Sequence, residues 1–143
     1  ELGEMHEETG EFVDAGEAFM EAVASYNHPV DHKDTPGYIV KSHFLGPEMH
    51  HKALNYDVAL ESYKQAIKIY GETENEEIME QVLWARYQSG VINASKGDEQ
   101  QALNIYAELM KLPGNEDKLW KKLATENHRT ILSKLSYDDY LKE

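Results

Sequence analysis

Apolar and small residues recur at steps of three and four along most of the chain, the spacing of one face of an α-helix. Phe12, Ala15, Phe19, Ala22 and Val23 predict a helix over about 12–26, preceded at 2–10 by the end of another. Ala59, Leu60, Tyr63, Ala66, Ile67 and Tyr70 predict a strong helix from Tyr56 to Tyr70. Ile78, Val82, Leu83, Tyr87 and Val91 mark one from about Glu76 to Ser95. The final helix is expected from about Glu116 to Leu135. Leu119, Trp120, Leu123, Ala124, Ile131, Leu132 and Leu135 lie on one side of it, and Lys121, Lys122, Glu126 and Arg129 on the other.

Between these stretches the residues change to turn and cap chemistry. Pro29, Asp31, Asp34, Pro36 and Gly37 make 27–38 a long connecting loop, of a length that is often functional. The Gly46-Pro47 pair should break or restart the helix expected over 39–55, because proline removes a backbone donor and disfavours helix at the preceding residue. Gly71 is placed to cap the next helix, and Thr73 or Asn75 to start the one after it. Asp98 with Gln101 three residues on resembles a capping box and opens a helix to about Lys111, which Leu112, Pro113 and Gly114 end. From Ser136 onward the chain is polar and is expected to fray or form one last turn.

One ladder of spacings recurs. Gly90, Gly97, Ala102, Tyr106 and Leu109 follow one another at steps of seven, five, four and three, and Gly3, Gly10, Ala15, Phe19 and Ala22 repeat those steps. Ala59, Tyr63 and Ala66 fill the last three places of a third copy, with Leu54 where the second glycine belongs and Pro47 where the first does. A small residue near a helix end lets a second helix approach closely, and a glycine takes the left-handed conformation that joins them. On these residues the sequence resembles the tetratricopeptide repeat family in its helix-A glycine, turn glycine and helix-B small, aromatic and small positions. The alanine anchors lie 44 and 43 residues apart, against about 34 in that family, so the array is divergent.

The resemblance implies an all-α domain of about three stacked antiparallel helix hairpins, a tetratricopeptide-like α-solenoid closed by a capping helix. Hairpin 1 would occupy residues 1–26, the loop 27–38, hairpin 2 residues 39–71, hairpin 3 residues 72–112, and the capping helix and tail 113–143. Trp120 near the start of that last helix is similar to the closing helices of bacterial repeat proteins. The chain opens at Glu1, without methionine, and Gly3 falls where a first helix should be half finished. Residues upstream are therefore expected, and compartment stays open between cytoplasm and periplasm.

The resemblance also implies a concave groove for a partner segment. Glu4, Glu7 and Glu8 would point into it from the first unit, Phe44, Glu48 and His51 from the second, and Trp84, Tyr87 and Val91 from the third. The acids would pair with Lys or Arg of a peptide and the aromatics would anchor it. The plainer readings are that the acids form a solvated face and that Trp84 and Tyr87 pack against the neighbouring hairpin.

Charge narrows the partners. The net charge is -13, and before Lys33 there are nine Asp or Glu and no Lys or Arg. Phosphate backbones and anionic membranes would be repelled, which leaves a basic protein surface, or simple solubility, as the reason for the acidity. No apolar run approaches the ~18 residues of a membrane span. Without cysteine, zinc sites that need thiolate are excluded;.

Five of the seven histidines fall within residues 28–51. His28, Asp31, His32, His50 and His51 are the candidates for a metal site, since converging imidazoles bind divalent ions. The tight spacings of known metal helices are missing, so no cofactor is expected. No cysteine nucleophile, Gly-x-Ser-x-Gly or phosphate-cradling glycine loop is present. The sequence thus points to a non-catalytic interaction module, with self-association through the N-terminal edge as one option. A metal-binding protein or metal-dependent enzyme using 28–51 is the alternative, and a small-ligand sensor a third.

Overall fold

The computed structural model describes residues 2–26 and 35–142, and of residues 2–8 the backbone alone. Among the described residues the chain is all-helical. Its elements are α1 (Leu2–Ser25), α2 (Gly37–Lys52), α3 (Tyr56–Tyr70), α4 (Glu76–Ser95), α5 (Glu99–Lys111) and α6 (Leu119–Lys142). The chain divides into two compact units, residues 1–85 and 86–143, with the boundary inside α4.

In the first unit α1 packs on α2 and α2 on α3. The α1–α2 approach is close because glycines face it. A Cβ at Gly16 would lie 2.8 Å from the His50 ring, and one at Gly46 would lie 2.6 Å from Met20 Sδ. Near one end of this crossing Lys52 Nζ sits 5.7 Å from the centroid of the Phe12 ring. The core continues through Ile39, Phe44, Ala59, Tyr63, Ala66 and Tyr70, all buried.

Two sequence expectations fail here. Gly10 does not turn the chain: it lies inside α1, so Leu2–Ser25 is one helix and not a hairpin. A glycine inside a helix costs only about 1 kcal/mol relative to alanine, and α1 packs on α2. Gly46-Pro47 does not break α2 either. Proline in a helix interior costs roughly 3 kcal/mol, but both residues are buried at the centre of the unit, where α1 and α3 hold the helix.

The turn into α3 forms without glycine. Leu54 takes φ +62°, Leu54 N donates to His51 O (2.9 Å) and Asn55 N donates to His50 O (2.8 Å). Gly71 has φ -62°, so α3 ends right-handed and not on the left-handed cap expected of that glycine. Asn75 is the residue that starts α4, its Oδ1 accepting from Ile78 N at 3.0 Å.

In the second unit the turn from α4 to α5 repeats the one after α2. Gly97 (φ +90°) donates its N–H to Ala94 O (3.1 Å), and Asp98 N donates to Asn93 O (2.9 Å). Asp98 Oδ1 then caps α5 through Gln101 N at 3.2 Å. Along α5, Ala102, Tyr106 and Leu109 are buried as Ala59, Tyr63 and Ala66 are along α3. A Cβ at Gly90 would sit 2.5 Å from Tyr106 Cε1, so the glycine makes room for the phenol ring.

α6 packs on α5 through Trp120, Ala124 and Ile131, all buried, and Lys134 pairs with Glu99 at 2.9 Å. It begins at Leu119 and runs on to Lys142. Residues 136–142, expected to fray or form one last turn, continue the helix to Lys142. Leu119 and Leu132, expected on the buried side, are exposed.

Candidate functional site: a cleft in the second unit

The expected groove residues separate once their surroundings are known. Phe44 is 7% exposed, its ring 5.5 Å from that of Tyr70, so it is core. Tyr87 is also 7% exposed and its ring lies 5.9 Å from that of Tyr106. Each ring packs on a neighbouring helix, Phe44 on α3 and Tyr87 on α5. Glu48 and His51 are half-buried. Glu48 lies 4.0 Å from Lys52, and the His51 ring is 6.1 Å from that of Tyr56. Trp84 is half-buried. The side chains of Glu4, Glu7 and Glu8 lie outside the described residues.

Val91, one of the expected groove residues, lines a cleft. An open cleft of about 310 Å³ is formed by Val91, Ala94 and Ser95 of α4, Tyr106 of α5, and Asn127, Thr130 and Ile131 of α6. Its polar centre is built by α6. Asn127 Nδ2 donates to Tyr87 Oη at 3.0 Å and to Tyr106 Oη at 3.4 Å. Burial raises the pKa of both phenols, partly offset by the Asn127 hydrogen bond, so both stay neutral. Thr130, also lining the cleft, has its Oγ1 donating to Glu126 O at 3.0 Å.

Asn127 was not among the expected site residues, although a signal was available. It falls between Ala124 and Ile131 at helical spacing on the apolar stripe of the last helix, and a polar residue there needs a partner. A second cleft of about 430 Å³ lies along α6, lined by Glu116, Lys121, Lys122, Thr125, Glu126 and Arg129. Its Lys121 is already engaged with Leu112 O and Gly114 O, the carbonyls of the α5–α6 connection, and with Glu116.

No group of three or more His, Cys, Asp or Glu placed to hold a metal ion occurs among the described residues. His50 is buried, its Nδ1 3.2 Å from Asn55 Nδ2. His28, Asp31 and His32 lie outside the described residues. Among the described residues, no helix is long and apolar enough to cross a membrane.

No protein-family model, curated protein or solved structure matches this chain. The class that the coordinates define is a protein of packed helices that carries one helix–turn–helix pattern twice, 43 residues apart.

Proposed function

We propose that the chain is a non-catalytic protein–protein interaction module of the tetratricopeptide kind, whose hairpins stack as a solenoid and hold a segment of another protein. The observation that carries this reading is the repeated turn. Asn55 N to His50 O and Asp98 N to Asn93 O are the same contact, each followed by a buried Ala and a buried Tyr four residues on. Modules repeated in this way bind through surface shared among units. Charge favours a partner with basic segments, since residues 1–85 hold eighteen Asp or Glu and five Lys or Arg, while residues 86–143 hold nine of each.

Selection of displayed random peptides on the whole immobilised chain tests the reading. Enriched sequences, resynthesised, should bind saturably and more weakly to a variant with Glu4, Glu7 and Glu8 changed to Lys. Enrichment no greater than on the urea-unfolded chain would remove the proposal, and stoichiometric metal in protein purified without a metal column would favour the metal-binding alternative.

A further inference from the structure

We infer that the cleft of the second unit holds an uncharged, extended stretch of a partner chain, which donates a backbone N–H to Asn127 Oδ1 and seats a small aliphatic side chain against Val91, Ala94 and Ile131. The inference rests on the interaction-module reading and supplies the chemistry of one of its contacts.

The Asn127 amide is held in place. Its Nδ2 is engaged by two phenol oxygens, and the rings that carry them are 7% and 1% exposed, so neither can swing away. The carbonyl is the half of the amide left for a ligand, and an amide carbonyl accepts an N–H. A fixed acceptor costs no reordering when a ligand arrives, which is the advantage of a preorganised site.

Charge selects the occupant. None of the seven lining residues is ionisable apart from the neutral Tyr106 phenol. A Lys, Arg, Asp or Glu side chain entering would find no counter-charge among the lining residues, whereas an uncharged one needs none. The surrounding unit is balanced in charge while the rest of the chain carries the whole deficit of -13. This cleft, in the balanced unit, therefore takes a neutral stretch.

Size fits a side chain with its adjoining peptide. About 310 Å³ lies at the lower edge of the ~300–1,000 Å³ of small-molecule pockets, and the cleft is open to solvent. Three aliphatic walls and one acceptor match the repeating unit of a polypeptide, an N–H next to a hydrocarbon side chain.

The test uses NMR on the whole chain with acetylated, amidated peptides Gly-Gly-Xaa-Gly-Gly, where Xaa is Ala, Val, Trp, Glu or Lys, and with the Val peptide N-methylated at Val. The Ala and Val peptides should move the signals of Val91, Ala94, Ile131 and the Asn127 side-chain amide saturably, and the Glu and Lys peptides should not. N-methylation should weaken binding about tenfold, the worth of one hydrogen bond. Ala94→Leu should fill the cleft and abolish the response while the Asn127 amide signals stay in place, which shows the unit still folded. Equal binding of the N-methylated peptide, an unchanged response in Ala94→Leu, or no response to any peptide overturns the inference. Shifts confined to residues outside the cleft overturn it too but leave the interaction module standing, whereas failure of the display selection as well removes both.

Discussion

Leu54 and Gly97 hold the same place in two turns 43 residues apart, with φ of +62° and +90°. The left-handed conformation costs a side-chain-bearing residue roughly 1–2 kcal/mol and glycine almost nothing. Leu54 is 66% exposed, so its side chain regains little of that cost by burial. Leu54→Gly should therefore stabilise the chain by about 0.5–1 kcal/mol, the lower figure reflecting the greater unfolded-state freedom of glycine. Gly97→Ala should destabilise it by about 1 kcal/mol through the backbone alone, since a Cβ there meets nothing within 4 Å. Urea unfolding followed by circular dichroism measures both, and a lower midpoint for Leu54→Gly would show that the leucine contributes something other than the turn.

Gly10 and Gly90 should respond oppositely to alanine. A Cβ at Gly10 meets nothing within 4 Å inside a continuous helix, so Gly10→Ala gains helix propensity worth about 1 kcal/mol. At Gly90 the added carbon would lie 2.5 Å from a Tyr106 ring that is buried and cannot withdraw. Overpacking of this kind costs about 1–3 kcal/mol. Thermal melts of the two variants should move apart, and a stabilised Gly90→Ala would contradict the α4–α5 packing.

His43 makes the first unit sensitive to acid. Its ring is 6% exposed, lies edge-on to Tyr70 at 5.4 Å, and its Nε2 has no hydrogen-bond partner. Burial lowers its pKa below the ordinary 6.5. The unfolded chain then takes up a proton first, so the stabilisation is complete above about pH 6.5 and is lost as pH falls from there through the folded pKa. His51, also lowered by burial though raised in part by Glu48, adds a slope of the same sign. Chemical denaturation between pH 7.5 and pH 5, two values chosen about the ordinary histidine pKa, should show stability falling. His43→Phe should flatten that fall in part, and an unaltered slope in this variant would place the sensitivity elsewhere.

Lys121 and Lys122 are neighbours with different duties. The Lys121 side chain, 12% exposed, donates to Leu112 O and Gly114 O, backbone carbonyls left open where α5 ends. Lys122 is exposed. Hydrogen bonds to a charged group are each worth about 1.5–3 kcal/mol, so Lys121→Ala should destabilise the second unit by about 2 kcal/mol. Lys122→Ala should stay within about 0.5 kcal/mol of the parent. Hydrogen exchange at the α5–α6 connection would register the difference, and equal protection in the two variants would refute it.

Much of the local structure was legible in the residues. Helix α3 starts and ends where its three-four spacing says, α4 spans Glu76–Ser95 as expected, and Gly97 and Asp98 make the turn and cap that their side chains suit. These are short-range matters, governed by which residues lie one turn away and which backbone angles a side chain allows.

The amino-acid order by itself determined a helical chain, a 43-residue recurrence and an acidity confined to one part. Tertiary packing alone decided that Gly10 and Pro47 stay within helices, that Gly16 and Gly46 are the glycines that let α1 and α2 meet, and that Asn127 joins two tyrosines from other helices. The reason is one of range and size. A local preference of about 1 kcal/mol for glycine or about 3 kcal/mol for proline yields to the burial of a whole helix face, and the partners that supply that burial lie tens of residues away.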